Sequence, residues 1–244
     1  MCGRTRLQRT FAELSALMRA EYTGPERGPR LEVRPTETQA VLTMFGVERT
    51  LRAMEWGLIP SWSKDRRMGA KAFNARVETV DVKPMFRDAW RKRRCVVLVD
   101  GFYEWSGEKS KRHPNLVRVH GDEVMALAGL WEPWKVDEAN TLESCTILTT
   151  EAKGVMAGIH DRMPIVLRGA QIEAWLDPNQ KDVRGCLKDP FLDFEIVPLR
   201  KIGSDEPPLG EDDGDADDAT DAATTVPAKK RPKKGPPPEQ GSLF

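Results

Sequence analysis

Apolar residues in this chain recur mostly in short continuous or alternating runs bounded by turn residues. The runs Gln39 to Phe45, Thr50 to Trp56, Cys95 to Val99, Asn115 to Val119, Val124 to Trp131 and Ser144 to Thr149 predict strands, and Met163 to Leu167 and Phe194 to Val197 continue the pattern. Helical spacing is confined to three places. Thr10-Phe11-Ala12-Glu13 is a capping box, in which Thr10 accepts from a free helix N–H and Glu13 reaches back. Phe11, Leu14, Leu17 and Met18 then mark one apolar face of a short helix that ends near Tyr22, before the Gly/Pro-rich loop from Gly24 to Pro29. The other two are Pro84 to Arg91 and Ala170 to Leu176, where Ile172, Trp175 and Leu176 share a face. Many strands, few helices and no regular βαβ alternation predict an α+β fold: a single strand-rich domain over 2–203, built on a curved, barrel-like mixed sheet with a few flanking helices. From Ser204 to Phe244 Asp, Ala, Pro, Lys and Gly dominate, with too little apolar surface to offset the entropy of ordering, so a disordered tail is expected.

Charge alters this picture. The chain is neutral overall, but residues 205–244 hold five basic against ten acidic residues, a net −5, which leaves +5 on the body. A basic body suits a polyanionic partner. The four cysteines, Cys2, Cys95, Cys145 and Cys186, show no C-x-x-C pair, which speaks against zinc and against a disulfide framework. No apolar run reaches the roughly 18 residues of a membrane span, so the expectation is a soluble, cytoplasmic protein in a reducing compartment, without metal or other cofactor. No heptad seam demands a dimer, and a monomer is expected.

Candidate chemistry begins at Met1-Cys2-Gly3-Arg4. Removal of Met1, usual before a small side chain, gives Cys2 a free α-amine beside its thiol. With ordinary pKa values of about 7.7–8.0 and about 8.5, both are partly in reactive form near neutral pH. An aldehyde meeting this pair forms a Schiff base with the amine, and the thiolate closes on the imine carbon to give a thiazolidine. Cys2 is also readable as a buried or spectator thiol. Lys71 to Thr79 is a polar cluster containing Asn74 and Arg76, readable as a turn residue and a solvated charge. In Arg94 to Trp105 a buried strand is expected to turn back at Asp100-Gly101 as a hairpin and to send Glu104 up between Tyr103 and Trp105, as an acid/base group or an ordinary exposed strand residue. His160, one of three histidines, stands in a turn beside Asp161 and Arg162, where a group of ordinary pKa about 6.5 transfers protons at neutral pH. Trp56 reads as core, and Trp62, in a Pro/Ser/Lys loop, as an exposed stacking surface for a base.

Met-Cys-Gly-Arg, Asn-Ala-Arg-Val-Glu-Thr, Arg-Cys with Asp-Gly-Phe-Tyr-Glu-Trp, and Ile-His-Asp-Arg-Met-Pro follow one another in this order. Over about residues 2–200 the chain thereby resembles the SOS response-associated peptidase (SRAP) family. The resemblance implies a protein that recognises abasic sites in single-stranded DNA and crosslinks to them as a thiazolidine, shielding the lesion, in a nucleoid-associated setting. It implies Cys2 as nucleophile, Asn74 positioning its amine, Glu104 as acid/base group and His160 as proton shuttle at the sugar. Arg4, Arg76 and Arg162 fall where the family grips phosphates. The chain departs from the family where Glu32-Val33-Arg34-Pro35-Thr36 replaces Asn-x-Ala-Pro-Thr, with Pro35 and Thr36 retained on the DNA side. Two other readings are an N-terminal-nucleophile cysteine peptidase that processes its own Met1, and a non-catalytic single-stranded-DNA adaptor. The last five residues, Gln240-Gly241-Ser242-Leu243-Phe244, resemble the peptide with which bacterial repair proteins bind the sliding clamp, Gln240 at the rim and Leu243 and Phe244 as anchors.

Overall fold

The computed structural model describes residues 2–107 and 112–203; the tail, with Gln240, Leu243 and Phe244, lies outside the described residues. Thirteen strands, three α-helices and four short 3-10 segments are described. Five strands close a barrel. β3 (Thr38–Phe45) and β4 (Glu48–Trp56) form a hairpin through Gly46, whose φ of 62° suits glycine. β3 pairs antiparallel with β6 (Arg94–Val99), β6 with β9 (Met125–Lys135), and β9 with β10 (Thr141–Glu151). β10 then returns parallel to β4, Cys145 opposite Trp56, so the sheet is mixed and closed.

Side-chain alternation sorts the barrel into an inside and an outside. Val41, Met54, Trp56, Cys95, Val97, Leu127, Trp131, Cys145 and Ile147 form one buried cluster, which is the interior. Ala40, Leu42, Leu51, Val96, Leu98, Ala128, Leu130 and Leu148 form the outer face, packed under α1 (Phe11–Met18), α2 (Arg87–Lys92) and α3 (Ala170–Leu176) through Leu14, Trp90, Trp175 and Leu176. All six residues of β6 are buried because both its faces are covered, hence its unbroken apolar run. Gly129 lies between Cys95 and Ile147 where the strands approach closely: a Cβ there would meet the Thr146 carbonyl oxygen at 2.8 Å and the Cys95 sulfur at 3.1 Å.

A second sheet runs in the order β13 (Phe194–Pro198), β8 (His113–Val119), β7 (Gly101–Ser106), β1 (Thr5–Leu7), β2 (Arg30–Val33). Its inner residues Phe102, Val117, Val119 and Phe194 pack into the same cluster as the barrel interior, and so does Cys2. Three smaller strands complete the fold: β5 (Asn74–Arg76), parallel to β10; β11 (Arg162–Pro164), antiparallel to β10; and β12 (Val166–Leu167), antiparallel to β9.

The barrel-like mixed sheet with a few flanking helices is thus present, and several local expectations change. Asp100-Gly101 is no hairpin: β6 belongs to the barrel and β7 to the second sheet, so the chain crosses between sheets there. The Asp100 carboxylate is taken up by the Gln8 N–H and the Arg9 guanidinium, at the end of β1, instead of bracing a turn. Helix α1 stops at Met18, because Arg19 adopts a left-handed conformation (φ 50°) and its N–H caps Ala16 and Ser15. Leu17 is 57% exposed and leaves the apolar face. The apolar run near Met163 splits at Ile165, which bonds to Leu148 on one side and Ala128 on the other.

Candidate functional site

Cys2 precedes β1 at the seam between the second sheet and the barrel. Pairing of Thr5 with Phe102 and a 2.9 Å bond from the Tyr103 N–H to the Arg4 carbonyl fix the segment, and the Cys2 side chain has no exposed surface. Asn74 reaches it from β5, which pairing with Ile147 on β10 holds in place. Its Nδ2 donates to the Cys2 carbonyl at 2.7 Å, while its buried Oδ1 accepts no bond among the described residues. Asn74 is therefore a strand residue aimed at the N-terminus, not a turn residue.

Glu104 is 4% exposed, so it is not an ordinary exposed strand residue. The pleat of β7 places it on the face of Phe102, opposite Tyr103 and Trp105. The expected aromatic sandwich is absent: Tyr103 donates its hydroxyl to the Leu31 carbonyl (2.7 Å), and Trp105 lies 5.6 Å from the Arg4 guanidinium carbon. The Glu104 carboxylate acts on Cys2 instead. Burial first, and the Glu104 charge second, push the Cys2 thiol well above its usual range.

His160 follows a 3-10 turn (Gly154–Gly158), and its N–H bonds to the Met156 carbonyl at 3.0 Å. Met156 and Met163, on either side, are both fully buried in the cluster that holds Cys2. The His160 ring is half-buried, with Nδ1 accepting from the Arg162 N–H at 2.9 Å and lying 2.6 Å from Asp161 Oδ1.

The arginines are in two conditions. Arg76 is exposed, opposite Thr149 on β10. Arg162, on β11 at the other side of β10, is 11% exposed and makes paired bonds of 2.7 and 2.8 Å to Glu78, with a third of 2.7 Å to the Thr149 carbonyl. Arg4 is held by Glu32, which also accepts from Arg34 at 2.7 Å. Burial raises the Glu32 carboxyl, but the Arg34 and Arg4 bonds outweigh it and leave it below the usual range; Glu78 is lowered chiefly by Arg162. Pro35 is half-buried beside Thr36, whose φ of 75° is left-handed and whose N–H bonds to the Trp56 carbonyl at 2.7 Å. Trp62 is 56% exposed.

The structure thus bonds Asn74 to Cys2, sets the Glu104 charge against the Cys2 thiol, and flanks His160 with Met156 and Met163 of the cluster that holds Cys2. Sequence reasoning missed Glu32 and Glu78 as partners of the arginines. Nothing local marked either: Glu78 lies in the turn after β5 and meets an arginine 84 residues on, and Glu32 meets one 28 residues back.

The family model described as SOS response associated peptidase (SRAP) matches residues 1–201. Abasic site processing protein YoqW of Bacillus subtilis (strain 168) is 36% identical over 185 residues, 75% of this chain and 83% of that protein. Abasic site processing protein HMCES of Xenopus tropicalis is 34% identical over 164 residues, 58% of this chain and 49% of that longer protein. Among solved structures, a Bacteroides thetaiotaomicron protein superposes with a TM-score of 0.72 at 23% identity, over 82% of this chain and 92% of its own. A Bordetella bronchiseptica protein gives 0.71 at 21% identity, over 82% and 100%. At such identities these two speak for the fold alone.

Proposed function

The chain belongs to the SOS response-associated peptidase (SRAP) family, and from that premise we propose that it processes abasic sites in single-stranded DNA by forming a thiazolidine crosslink through Cys2. Abasic-site processing is what the names of its relatives state. The observation that carries the reading to Cys2 is the 2.7 Å bond by which Asn74 grips the Cys2 carbonyl, with a buried, unused Oδ1 on the same amide. Once Met1 is removed, that oxygen is the acceptor for an α-amine N–H, which turns the nitrogen lone pair toward an incoming aldehyde.

The ring-opened abasic sugar offers its aldehyde carbon to this amine. Addition gives a carbinolamine, and Glu104 or His160 supplies the proton with which its hydroxyl leaves as water. The resulting iminium carbon accepts the Cys2 sulfur; the S–H proton passes to Glu104, and the nitrogen keeps its own as the ring amine. Aldehyde and aminothiol thus become thiazolidine and one water. An abasic nucleotide in a single strand has no base to unstack, so the few kcal/mol spent on base flipping is largely absent. Arg4, Arg76 and Arg162 supply phosphate contacts, and Trp62 and Pro35 flank the strand. A thiol peptidase would use the thiol alone, whereas the thiazolidine uses both the thiol and the α-amine that Asn74 is placed to orient.

On a denaturing gel with an abasic single strand, Cys2→Ser and Cys2→Ala are expected to abolish the heat-stable adduct, as is an N-terminal extension that removes the α-amine. A stable adduct in Cys2→Ser without borohydride trapping would sink the ring closure. The tail completes the proposal as a tether: Gln240, Leu243 and Phe244 dock on the bacterial sliding clamp. A Pro236–Phe244 peptide should bind that clamp, and loss of binding on joint Leu243→Ala and Phe244→Ala substitution is the check.

A further inference from the structure

Of the arginines assigned to phosphates, Arg4 and Arg162 are already occupied. Glu32 accepts from Arg4 while also holding Arg34 at 2.7 Å, and Glu78 clasps Arg162 through two parallel bonds of 2.7 and 2.8 Å. A carboxylate and a phosphate present the same pair of acceptor oxygens to a guanidinium. A phosphate that takes the contacted edge of either guanidinium must therefore displace a side chain already there: one Glu32 oxygen on Arg4, both Glu78 oxygens on Arg162.

We infer that Glu32 and Glu78 are specificity-determining residues: each competes with DNA phosphate for its arginine, and together they shorten the stay of the protein on undamaged strands. The inference rests on the proposed abasic-site reading. Phosphate contacts carry no information about damage, so uncontested arginines would hold intact single strands, present in large excess, as firmly as damaged ones. With a competitor on each arginine the non-covalent hold weakens for every strand, and retention passes to the covalent bond that only an aldehyde can form. The geometry suits release as well as occupation. Glu32 and Glu78 side chains are 21% and 47% exposed, so each can turn to water when displaced. The Arg4 guanidinium stays stationed by Trp105, 5.6 Å away, and Arg162 by the Thr149 carbonyl, 2.7 Å away.

The test measures binding of an intact single strand across a salt series, for the full chain and for Glu32→Gln, Glu78→Gln and both together. Each single variant is expected to bind roughly one-and-a-half- to five-fold tighter, the scale of one exposed ion pair. The slope of log K against log salt is expected to steepen by up to about 0.7 for each phosphate gained. In a background carrying both Arg4→Ala and Arg34→Ala, Glu32→Gln should gain nothing, since Glu32 bonds to both arginines. Weaker or unchanged binding in both single variants overturns the inference and leaves the carboxylates as mere holders of arginine geometry. Melting temperatures identify a variant that has lost its fold; Glu78, on the surface, then carries the test. Crosslinking of an abasic strand by the unmodified chain is read on the same preparation. No crosslink sinks the functional reading, whereas a crosslink with no gain in either variant sinks only this inference.

Discussion

The Cys2 side chain has no exposed surface, and taking a thiol out of water penalises the thiolate far more than the neutral form. Glu104 adds a second, smaller push in the same direction. A sulfur held back in this way suits the proposed chemistry, in which the α-amine acts first. Replacing Glu104 by Gln removes the carboxylate charge and should lower the thiol pKa; each unit of lowering gives about ten times more thiolate at neutral pH. Alkylation of Cys2 by a small neutral reagent, followed by intact mass, is expected to be faster in Glu104→Gln than in the unmodified chain. Equal rates would mean that the carboxylate does not act on the sulfur. At this scale the sequence singled out Cys2, Asn74, Glu104 and His160, because they sit in ordered motifs. It did not reveal the hold of Glu32 on Arg4, since an ion pair between residues 28 apart depends on how β1 meets β2.

Strands were legible wherever burial left a local imprint. β3, β4, β6 and β10 follow the apolar runs to within a few residues, and α3 spans the predicted Ala170 to Leu176. Crossing points were not legible. Asp100-Gly101 carries the local chemistry of a hairpin, but the barrel already pairs β6 with β3 and β9, which leaves β7 to the second sheet. β5 escaped the pattern because a three-residue strand has too few positions to alternate, and its parallel partner is distant in sequence. Arg94 shows the same limit. Its guanidinium gathers the carbonyls of Trp90 and Arg91 at 3.2 Å each, of Trp175 at 2.8 Å and of Asp177 at 2.5 Å, closing the ends of α2 and α3 over β6. In the sequence it is only the first residue of an apolar run. Such elements are fixed by free carbonyls at helix ends that must find donors, and those donors are known only once the helices are packed.

For the molecule as a whole, the buried thiols tie stability to alkaline pH. Cys2, Cys95 and Cys145 have no exposed surface, and burial lifts each thiol well above its usual range, with Glu104, Cys145 and Glu55 respectively adding to the effect. In the unfolded chain these thiols ionise near pH 8.5, while the folded chain keeps them protonated. Above that pH the unfolded state binds fewer protons, so unfolding becomes easier as pH rises; below it the contribution is fully present. Each thiol costs about 1.4 kcal/mol per pH unit in that window, and three together roughly 4 kcal/mol per unit. Against a total of about 5–15 kcal/mol for an ordinary domain, two pH units remove a large share of the stability. Tyr103, also raised by burial, adds to the slope above its ordinary pKa of about 10. Denaturant midpoints measured from pH 7 to 10.5 should hold level to about pH 8.5 and then fall steeply. Cys95→Ala shifts the whole curve by the cavity it leaves, but the informative quantity is the slope, which should lose about 1.4 kcal/mol per pH unit. A slope unchanged by Cys95→Ala would show that this thiol ionises in the folded chain as readily as in the unfolded one, contrary to its place inside the barrel.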